Sequence, residues 1–306
     1  MRKIVGALLV LAVIGLGVFY VVTIPSTIPA SALTADYKPD LANGATIFTI
    51  GGCAACHQTP GQKDRTQLGG GLALGSPFGT FYAPNISSDP QNGIGAWSEL
   101  DFVNALQRGV GRAGEHLYPA LPYTSYQRMK LEDVRDLYAY IKTLPAVATP
   151  SRPHDIPFPF SIRRLLGGWK LLFLDQRPFV PDTSKDAVWN RGAYLVEGPG
   201  HCAECHSPRN PLGGIKGDER FAGGPDPEGK GWVPNITPHA DGLANWKAAD
   251  IAEFLKTGLT PDFDSAGGSM REVIENTSRL SDDDRLAIAT YIASLPPRPG
   301  KAPKAK

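Results

Sequence analysis

The sequence repeats itself once, and this duplication constrains the fold more than any other feature of the chain. Matching landmarks recur at a nearly constant separation: Cys53 and Cys202 are 149 positions apart, Asn85 and Asn235 150, Trp97 and Trp246 149, and Pro145 and Pro296 151. A fixed offset over most of a chain indicates a duplicated structural unit. We place the two units at residues 38–148 and 187–297, with a connector between them at residues 149–186.

Each unit contains helical patterns. Apolar residues recur at helical spacing after each landmark tryptophan, which predicts helices over residues 99–109 and 248–258. A second helix closes each unit, over residues 132–144 and 281–295, with acidic residues in its first turn and a proline just past its end. No segment alternates convincingly between apolar and polar residues, so we expect no sheet. The 34 glycines and 28 prolines favour short helices joined by long loops, in a mainly α fold.

The most specific motif is Cys-x-x-Cys-His, which occurs once in each unit. Its residues are Cys53, Cys56 and His57 in the first unit and Cys202, Cys205 and His206 in the second. Two thiols three positions apart can each bond to one vinyl group of a haem, while the adjacent histidine directs its ring at the iron. A dithiol redox pair needs no such histidine, and a zinc site needs four ligands. We therefore expect two covalently bound haem c groups, with His57 and His206 as the proximal iron ligands.

The ligand on the opposite side of each iron decides between an electron carrier and a catalyst. A filled position favours electron exchange with little rearrangement, whereas an open position can bind small molecules. Apart from Met1 the chain contains two methionines, Met129 and Met270, one in each unit. Thioether ligation raises the potential of a haem and suits an electron carrier. We expect Met270, which ends a Gly-Gly-Ser-Met segment before the closing helix, to be a distal ligand.

The first unit does not repeat this arrangement. When the closing helices are aligned at an offset of 151, Met129 matches Leu280, and the counterpart of Met270 falls at Pro119. We expect Met129 to be the distal ligand of the first haem, with His116 or an open position as the alternatives. The remaining histidines are expected at the surface or behind the ligands: His154, His201 and His239.

The N-terminal segment is long and apolar enough to cross a membrane. Residues 4–22 are uncharged, and as a helix they would extend about 28 Å, close to the thickness of the hydrocarbon layer. Arg2 and Lys3 precede them, so the start is expected in the cytoplasm and the rest of the chain outside. A cleaved signal peptide is the alternative, because Ala30-Ser31-Ala32 resembles a processing site. We expect residues 1–30 to form an anchor in the cytoplasmic membrane, with the bulk of the chain on the periplasmic side.

Two further segments lie outside the repeated units. Residues 162–174 of the connector mix basic residues with leucines and could lie on a membrane or a partner, but we expect them to pack between the units. The last residues, 298–306, are rich in proline and lysine, and we expect them to be disordered. The formal net charge of +1 gives no reason to expect nucleic acid as a partner.

Nearly the whole chain after the N-terminal segment resembles the cytochrome c subunits of membrane-bound alcohol, gluconate and related quinoprotein or flavoprotein dehydrogenases. The resemblance is carried by GGCAACHQTPG, LGGGLALGSPFGTFYAPNIS, HLYPALPYTSYQRM, RGAYLVEGPGHCAECHSPRNPLGG and GWVPNIT. It implies two tandem helical cytochrome c domains that take electrons from a periplasmic dehydrogenase and deliver them to quinone, another cytochrome or a terminal oxidase. The chain departs from that family in having two haem motifs where three are common, and Leu121 where Pro-Ala-Met-Pro-Tyr often occurs.

The sequence therefore predicts an anchored dihaem electron carrier, a subunit of an oxidoreductase complex with no catalytic activity of its own. A glycine-rich nucleotide loop or a zinc motif does not accompany the haem motifs. The alternative is a dihaem enzyme, a peroxidase or a sulfur-compound oxidoreductase. It would use an open or unusually ligated first haem near His116, Arg108 or Arg112.

Overall fold

The computed structural model describes residues 1–227 and 231–302, and it is mainly helical. An N-terminal helix precedes two tandem domains: α1 Arg2–Val22. The first domain contains α2 Leu41–Ile50, α3 Cys53–His57, α4 Glu99–Arg108, α5 Tyr123–Tyr126 and α6 Leu131–Thr143. The connector carries α7 Leu165–Phe173. The second domain contains α8 Ala187–Glu197, α9 Ala203–His206, α10 Ala248–Thr257, α11 Met270–Thr277 and α12 Asp282–Ala293.

Both domains are built on the same helix crossing. Helix α2 packs against α6 in the first domain, and α8 packs against α12 in the second. A glycine lies at each crossing because the backbones touch there: a Cβ on Gly44 would lie 2.3 Å from the carbonyl oxygen of Asp136. A Cβ on Gly192 would lie 1.9 Å from that of Ala287. Neither position has room for a side chain, so the first and last helices of each domain are held in close contact.

The helices predicted after the landmark tryptophans are confirmed, together with the residues that end them. Ser98 accepts a hydrogen bond from the Asp101 amide and the Asp101 carboxylate accepts one from the Ser98 amide, which forms a capping box at the start of α4. Helices α4 and α10 end at Gly109 and Gly258, whose φ angles of 58° and 75° lie in the left-handed region. The closing helices α6 and α12 are confirmed as well, within two residues of the predicted bounds.

The expectation that the chain contains no strands was wrong. Strand β1 Ala73–Ser76 pairs with β2 Gly79–Tyr82, and β3 Gly224–Pro225 pairs with β4 Trp232–Val233, in two antiparallel hairpins. Strands of two to four residues are too short to show a period of two in their sequence. The hairpins occupy the same place in both units, in the loop between the haem motif and a Pro-Asn-Ile tripeptide that contains Asn85 in the first unit and Asn235 in the second.

Each domain has a hydrophobic core of its own. The first is formed by helices α2, α4 and α6 and includes Ile47, Phe102, Val103, Met129 and Ile141. The second is formed by α8, α10 and α12 and includes Leu195, Ile251, Leu280, Ile288 and Ile292. Two cores agree with a duplicated unit, because each unit buries most of its own apolar faces, with Ile50 of α2 packing into the second core.

The segments outside the domains pack against them to different extents. The side chains of α1 are exposed along the whole helix except for half-buried Phe19, and its mean hydropathy of 2.7 makes it apolar enough to cross a membrane. In the connector, Trp169 donates to the Leu212 carbonyl of the second domain, while Lys170 donates to carbonyls of the first. The tail was expected to be disordered, but its first residue, Arg298, contacts the second domain. The Arg298 carbonyl accepts a hydrogen bond from the Asn235 side chain at 2.8 Å. Residues 303–306 lie outside the described residues.

Candidate haem-binding sites

Each Cys-x-x-Cys-His motif forms a short helix next to the first helix of its domain. Helix α3 begins at Cys53 directly after Gly52, whose φ of 60° requires the left-handed conformation that glycine adopts without strain. Cys202 caps α9 in the second domain. Residues three positions apart face the same side of a helix, so the two thiols of each motif share one face. This arrangement suits attachment of one planar ring to both thiols.

The two motif histidines are oriented in the same way by a backbone carbonyl. The Nδ1 atom of His57 lies 2.8 Å from the carbonyl oxygen of Pro84, and that of His206 lies 2.9 Å from the oxygen of Pro234. A carbonyl oxygen can only accept a hydrogen bond, so Nδ1 carries the hydrogen and Nε2 keeps its lone pair for a metal. Burial lowers the pKa of both histidines, although the hydrogen bond to the carbonyl opposes this. Both rings are therefore neutral, as an iron ligand must be.

The Pro-Asn-Ile turn that supplies each carbonyl is itself held in place. The side-chain amide of Asn85 donates to the carbonyl oxygens of Val147 at 2.6 Å and Thr149 at 2.8 Å, just after the closing helix α6. Asn235 donates in the same way to the Arg298 carbonyl, after α12. The sequence analysis used Asn85 and Asn235 of this tripeptide as landmarks and did not predict that the turn supplies the acceptor for the histidine. The signal was available, because the same tripeptide follows both haem motifs at nearly the same distance.

The cysteines do not suit dithiol or zinc chemistry. Burial, with a smaller effect of the Cys56 thiol, raises the pKa of Cys53 to about 12. Burial and the Glu197 carboxylate raise the pKa of Cys202 to about 12 as well. A dithiol redox pair relies instead on a thiol whose pKa is lowered. Within residues 1–227 and 231–302, no group of three or more histidine, cysteine or acidic side chains is placed so that it could hold a metal ion. The donor set fits haem attachment better than either alternative.

Both methionines lie in the apolar cluster that also contains the first cysteine of their domain. Met129 is 1% exposed in the core of the first domain, where partly buried Cys53 packs against the same cluster. Met270 is half-buried, begins α11 and packs against the second core together with Cys202. The structure therefore brings each methionine into the same environment as the haem motif of its own domain.

The two methionines do not occupy equivalent positions, and the structure changes the alignment between the units. An isolated bridge joins Val110 to His116 in the first domain, and its counterpart joins Leu259 to Ser265, at an offset of 149. At that offset Met270 corresponds to Leu121, rather than to the Pro119 expected from the closing helices. Leu121 packs against the first core as Met270 packs against the second. The second unit has two more residues than the first between this position and its closing helix, and this accounts for the difference.

In the alternative of a dihaem enzyme, His116, Arg108 and Arg112 were expected near the first haem. In the structure each of them contacts a different partner. The Nε2 atom of buried His116 lies 2.9 Å from the carbonyl oxygen of Thr23, at the end of α1. Arg108 donates to Gln176 in the connector at 2.6 Å, and Arg112 lies 3.8 Å from the Asp101 carboxylate. These contacts do not form one polar cluster.

The other three histidines differ in their surroundings. His154 accepts from the Tyr82 amide, and His239 pairs with Asp241 at the surface. His201, expected at the surface or behind a ligand, lies at the boundary between the domains instead. Its Nε2 atom is 3.2 Å from the carbonyl oxygen of Gly51, and its ring packs edge-on to Tyr126.

The two haem motifs are direct neighbours, which the repeat alone did not predict. A Cβ placed on Gly51 would lie 3.7 Å from the carbonyl oxygen of Pro199, and one on Gly200 would lie 3.4 Å from Cδ1 of Ile50. These residues immediately precede Cys53 and Cys202. The boundary therefore brings together the segments that lead into the two motifs.

A buried carboxylate joins the second motif to the first domain. Glu204, inside Cys-Ala-Glu-Cys-His, accepts hydrogen bonds from the hydroxyls of Thr124 at 2.6 Å and Ser125 at 2.9 Å. Arg209 binds the same carboxylate at 2.7 Å. Burial alone would raise the pKa of Glu204, but the guanidinium and the two hydroxyls outweigh it and hold the pKa below its usual value. The carboxylate is therefore charged at neutral pH and ties the two domains together.

Two tandem helical domains, each with a short Cys-x-x-Cys-His helix whose histidine is oriented by a proline carbonyl, define a c-type cytochrome architecture. The sequence profile described as Cytochrome c matches residues 41–145 and 190–296. The chain therefore belongs to the cytochrome c family.

Characterised relatives cover most of the chain and confirm the resemblance seen in the sequence. A protein named diheme cytochrome c-type from Cereibacter sphaeroides is 47% identical, over 86% of this chain and 88% of the relative. The fructose dehydrogenase cytochrome subunit of Gluconobacter japonicus is 41% identical, over 88% of this chain and 54% of that subunit. The gluconate 2-dehydrogenase cytochrome c subunit of Pantoea cypripedii is 38% identical, over 88% of this chain and 63% of that subunit. The chain thus spans little more than half the length of such dehydrogenase subunits.

Proposed function

We propose that this chain is a membrane-anchored periplasmic cytochrome with two covalently attached haem c groups, and that it passes electrons from a periplasmic dehydrogenase into the respiratory chain. The acceptor would be quinone, another cytochrome or a terminal oxidase. The observation that carries the proposal is the repeated geometry of His57 and His206, each with Nδ1 bonded to a proline carbonyl and Nε2 available to a metal. The dehydrogenase cytochrome subunits among the relatives support the choice of donor.

The residues of the chain have distinct roles in this proposal. Cys53, Cys56, Cys202 and Cys205 attach the haems, which supply a one-electron iron couple when bound. His57 and His206 would be the histidine ligands of the two irons, and Met129 and Met270 would be their thioether ligands. Thioether ligands in apolar surroundings stabilise the reduced iron and leave no position for a substrate. Such a site exchanges electrons and carries out no further chemistry, so the dehydrogenase partner would perform the catalysis.

The contact between the segments that precede the two haem motifs supports electron transfer between two haems of the same chain. The segments before Cys53 and Cys202 are in contact, and His201 bridges toward the Gly51 carbonyl. The residues that would hold the two haems therefore adjoin one boundary, as electron transfer within a single chain would require.

The optical spectrum of the purified, haem-loaded protein tests the proposal most directly. The weak near-infrared band that reports methionine bound to ferric haem is quantified per haem, and high-spin signals are recorded in the same sample. Two equivalents of the band, with rapid reduction by a dehydrogenase, are expected for the carrier. One equivalent together with a high-spin signal and peroxide turnover would contradict it. That result would favour the dihaem enzyme, whose structural basis would be Leu121 at the position of Met270.

A further inference from the structure

Near its end, helix α7 of the connector buries a lysine and exposes two leucines, the reverse of the pattern expected in water. Lys170 is 7% exposed, and its Nζ donates to the carbonyl oxygens of Arg108 at 2.8 Å and Gly109 at 2.6 Å, at the end of α4. The following residues, Leu171 and Leu172, are 61% and 69% exposed. A helix that faces water places its lysines outside and its leucines inside. The medium around this part of α7 is therefore expected to be apolar.

The same helix is fixed to the end of the apolar helix α1. A Cβ on Gly168 would lie 3.2 Å from the ring of Phe19, and the Arg164 guanidinium lies over the Tyr20 ring, 4.1 Å from its centre. Helix α1 has 21 residues, so it extends about 31 Å and its last turn reaches the edge of the hydrocarbon layer. Tyrosine is enriched at that depth. Helix α7 is thus held at the level where the chain would leave the membrane.

The exposed leucines continue the face of α7 that touches α1. Leu171 and Leu172 follow Gly168 by three and four positions, and Leu165 precedes it by three, so all three lie on the Gly168 side of the helix. Leu165 is 43% exposed. We call these three residues the leucine face. Further exposed apolar side chains lie just before α7 in the connector: Phe158, Phe160 and Ile162.

We propose that α7 lies in the interface of the bilayer that α1 crosses, with the leucine face Leu165, Leu171 and Leu172 inserted among the lipids. Lipid is the expected partner of the leucine face because this face adjoins the last turn of α1, which in the proposed function is a membrane anchor. An apolar helix face in the interface adds affinity in proportion to the area it buries. Two attachments, α1 and α7, would hold the cytochrome domains in one orientation relative to the membrane.

The depth of single nitroxide labels in the haem-loaded full chain tests this inference. Leu171→Cys and Leu172→Cys are labelled in nanodiscs of phosphatidylcholine and phosphatidylglycerol, and the collision rates with oxygen and with a water-soluble nickel chelate are compared. Oxygen concentrates in lipid and the chelate in water. The oxygen-to-nickel ratio is expected to be several-fold higher at both leucines than at Phe263→Cys, an 86% exposed position in the second domain.

A label in the middle of α1 separates this inference from the anchor on which it rests. Leu9→Cys should show the highest oxygen-to-nickel ratio of all positions if α1 crosses the bilayer. A lipid signal at Leu9 with an aqueous signal at both Leu171 and Leu172 would overturn the placement of α7 and leave the anchor intact. An aqueous signal at Leu9 would overturn the anchor and therefore the proposal for α7 as well.

Discussion

The carbonyl oxygen of Pro84 lies 2.8 Å from Nδ1 of His57, so a loop 27 residues further along the chain sets the orientation of the histidine in the first Cys-x-x-Cys-His motif. The acceptor is a backbone group, and substitution of Pro84 would leave it in place. What holds the loop is the Asn85 side chain, through its two hydrogen bonds to the chain after α6. The electronic state of the iron ligand should therefore depend on a residue that does not touch the histidine.

Asn85→Ala should raise the potential of the first haem. A looser turn weakens the hydrogen bond from His57, which makes the imidazole a weaker donor and favours reduced iron. Loss of three side-chain hydrogen bonds, including the one from the Ser87 amide, should also cost about 3 kcal/mol in the free energy of unfolding. A potentiometric titration followed optically measures the first effect. Asn235→Ala is the matched control, because it should shift the other haem, and equal shifts of both haems in either variant would contradict the assignment.

Met270→Leu should lower the potential of one haem by a large step and remove one equivalent of the near-infrared band. The thioether stabilises ferrous iron, and leucine fills a similar volume without supplying a sulfur ligand. Met129→Leu should do the same to the other haem. An unchanged titration curve for either variant would remove that methionine from the ligand set, and Leu121→Met then becomes the informative variant for the first haem.

Glu204→Gln should weaken the attachment between the domains by about 1–3 kcal/mol, since it leaves Arg209 without its partner. The pKa of Glu204 is held below its usual value of 4.5, so its stabilising contribution is present above that pH and lost as the pH falls below it. The unfolding free energy of the native protein should fall in acid more steeply than that of the variant. Lys256→Gln breaks an exposed pair with Asp282 and should cost less than about 1 kcal/mol. Parallel pH profiles for the native protein and Glu204→Gln would argue against this role.

Gly192→Ala should destabilise the second domain by about 3 kcal/mol or more, because the new methyl group would meet the Ala287 carbonyl in the crossing of α8 and α12. Denaturant unfolding, with haem absorbance as one probe and circular dichroism as the other, measures the loss. Gly217→Ala adds the same group where 4 Å around it is open, and it should unfold as the native protein does. A small effect at Gly192 would mean that the two helices can move apart at little cost.

The features that were predictable from the sequence are those that depend on particular residue types at fixed spacing. The Cys-x-x-Cys-His motifs, the helix caps Ser98 and Gly109, and the duplication are all of this kind. The recurring tripeptide marks the loop that holds His57, but the choice of the Pro84 carbonyl as acceptor was not predictable, since every residue carries a carbonyl and only the folded loop selects this one. The equivalence of Met270 with Leu121 was hidden because the closing helices are shifted by two residues relative to the preceding bridge. The outward direction of Leu171 depends on what surrounds the protein, which periodicity alone does not specify.

The contact between the two haem motifs is symmetric. At the repeat offset of 149, Ile50 corresponds to Pro199 and Gly51 to Gly200. The observed contacts pair Ile50 with Gly200 and Gly51 with Pro199, so each residue meets the counterpart of its own neighbour. For these segments, this is the pattern of a two-fold axis, as in a homodimer whose subunits use the same patch on both sides, although the Glu204 contact has no counterpart in the first motif, where Ala55 takes its place. The fused pair is therefore closed at this face, and any additional haem-bearing domain or electron donor must approach through another surface of the molecule.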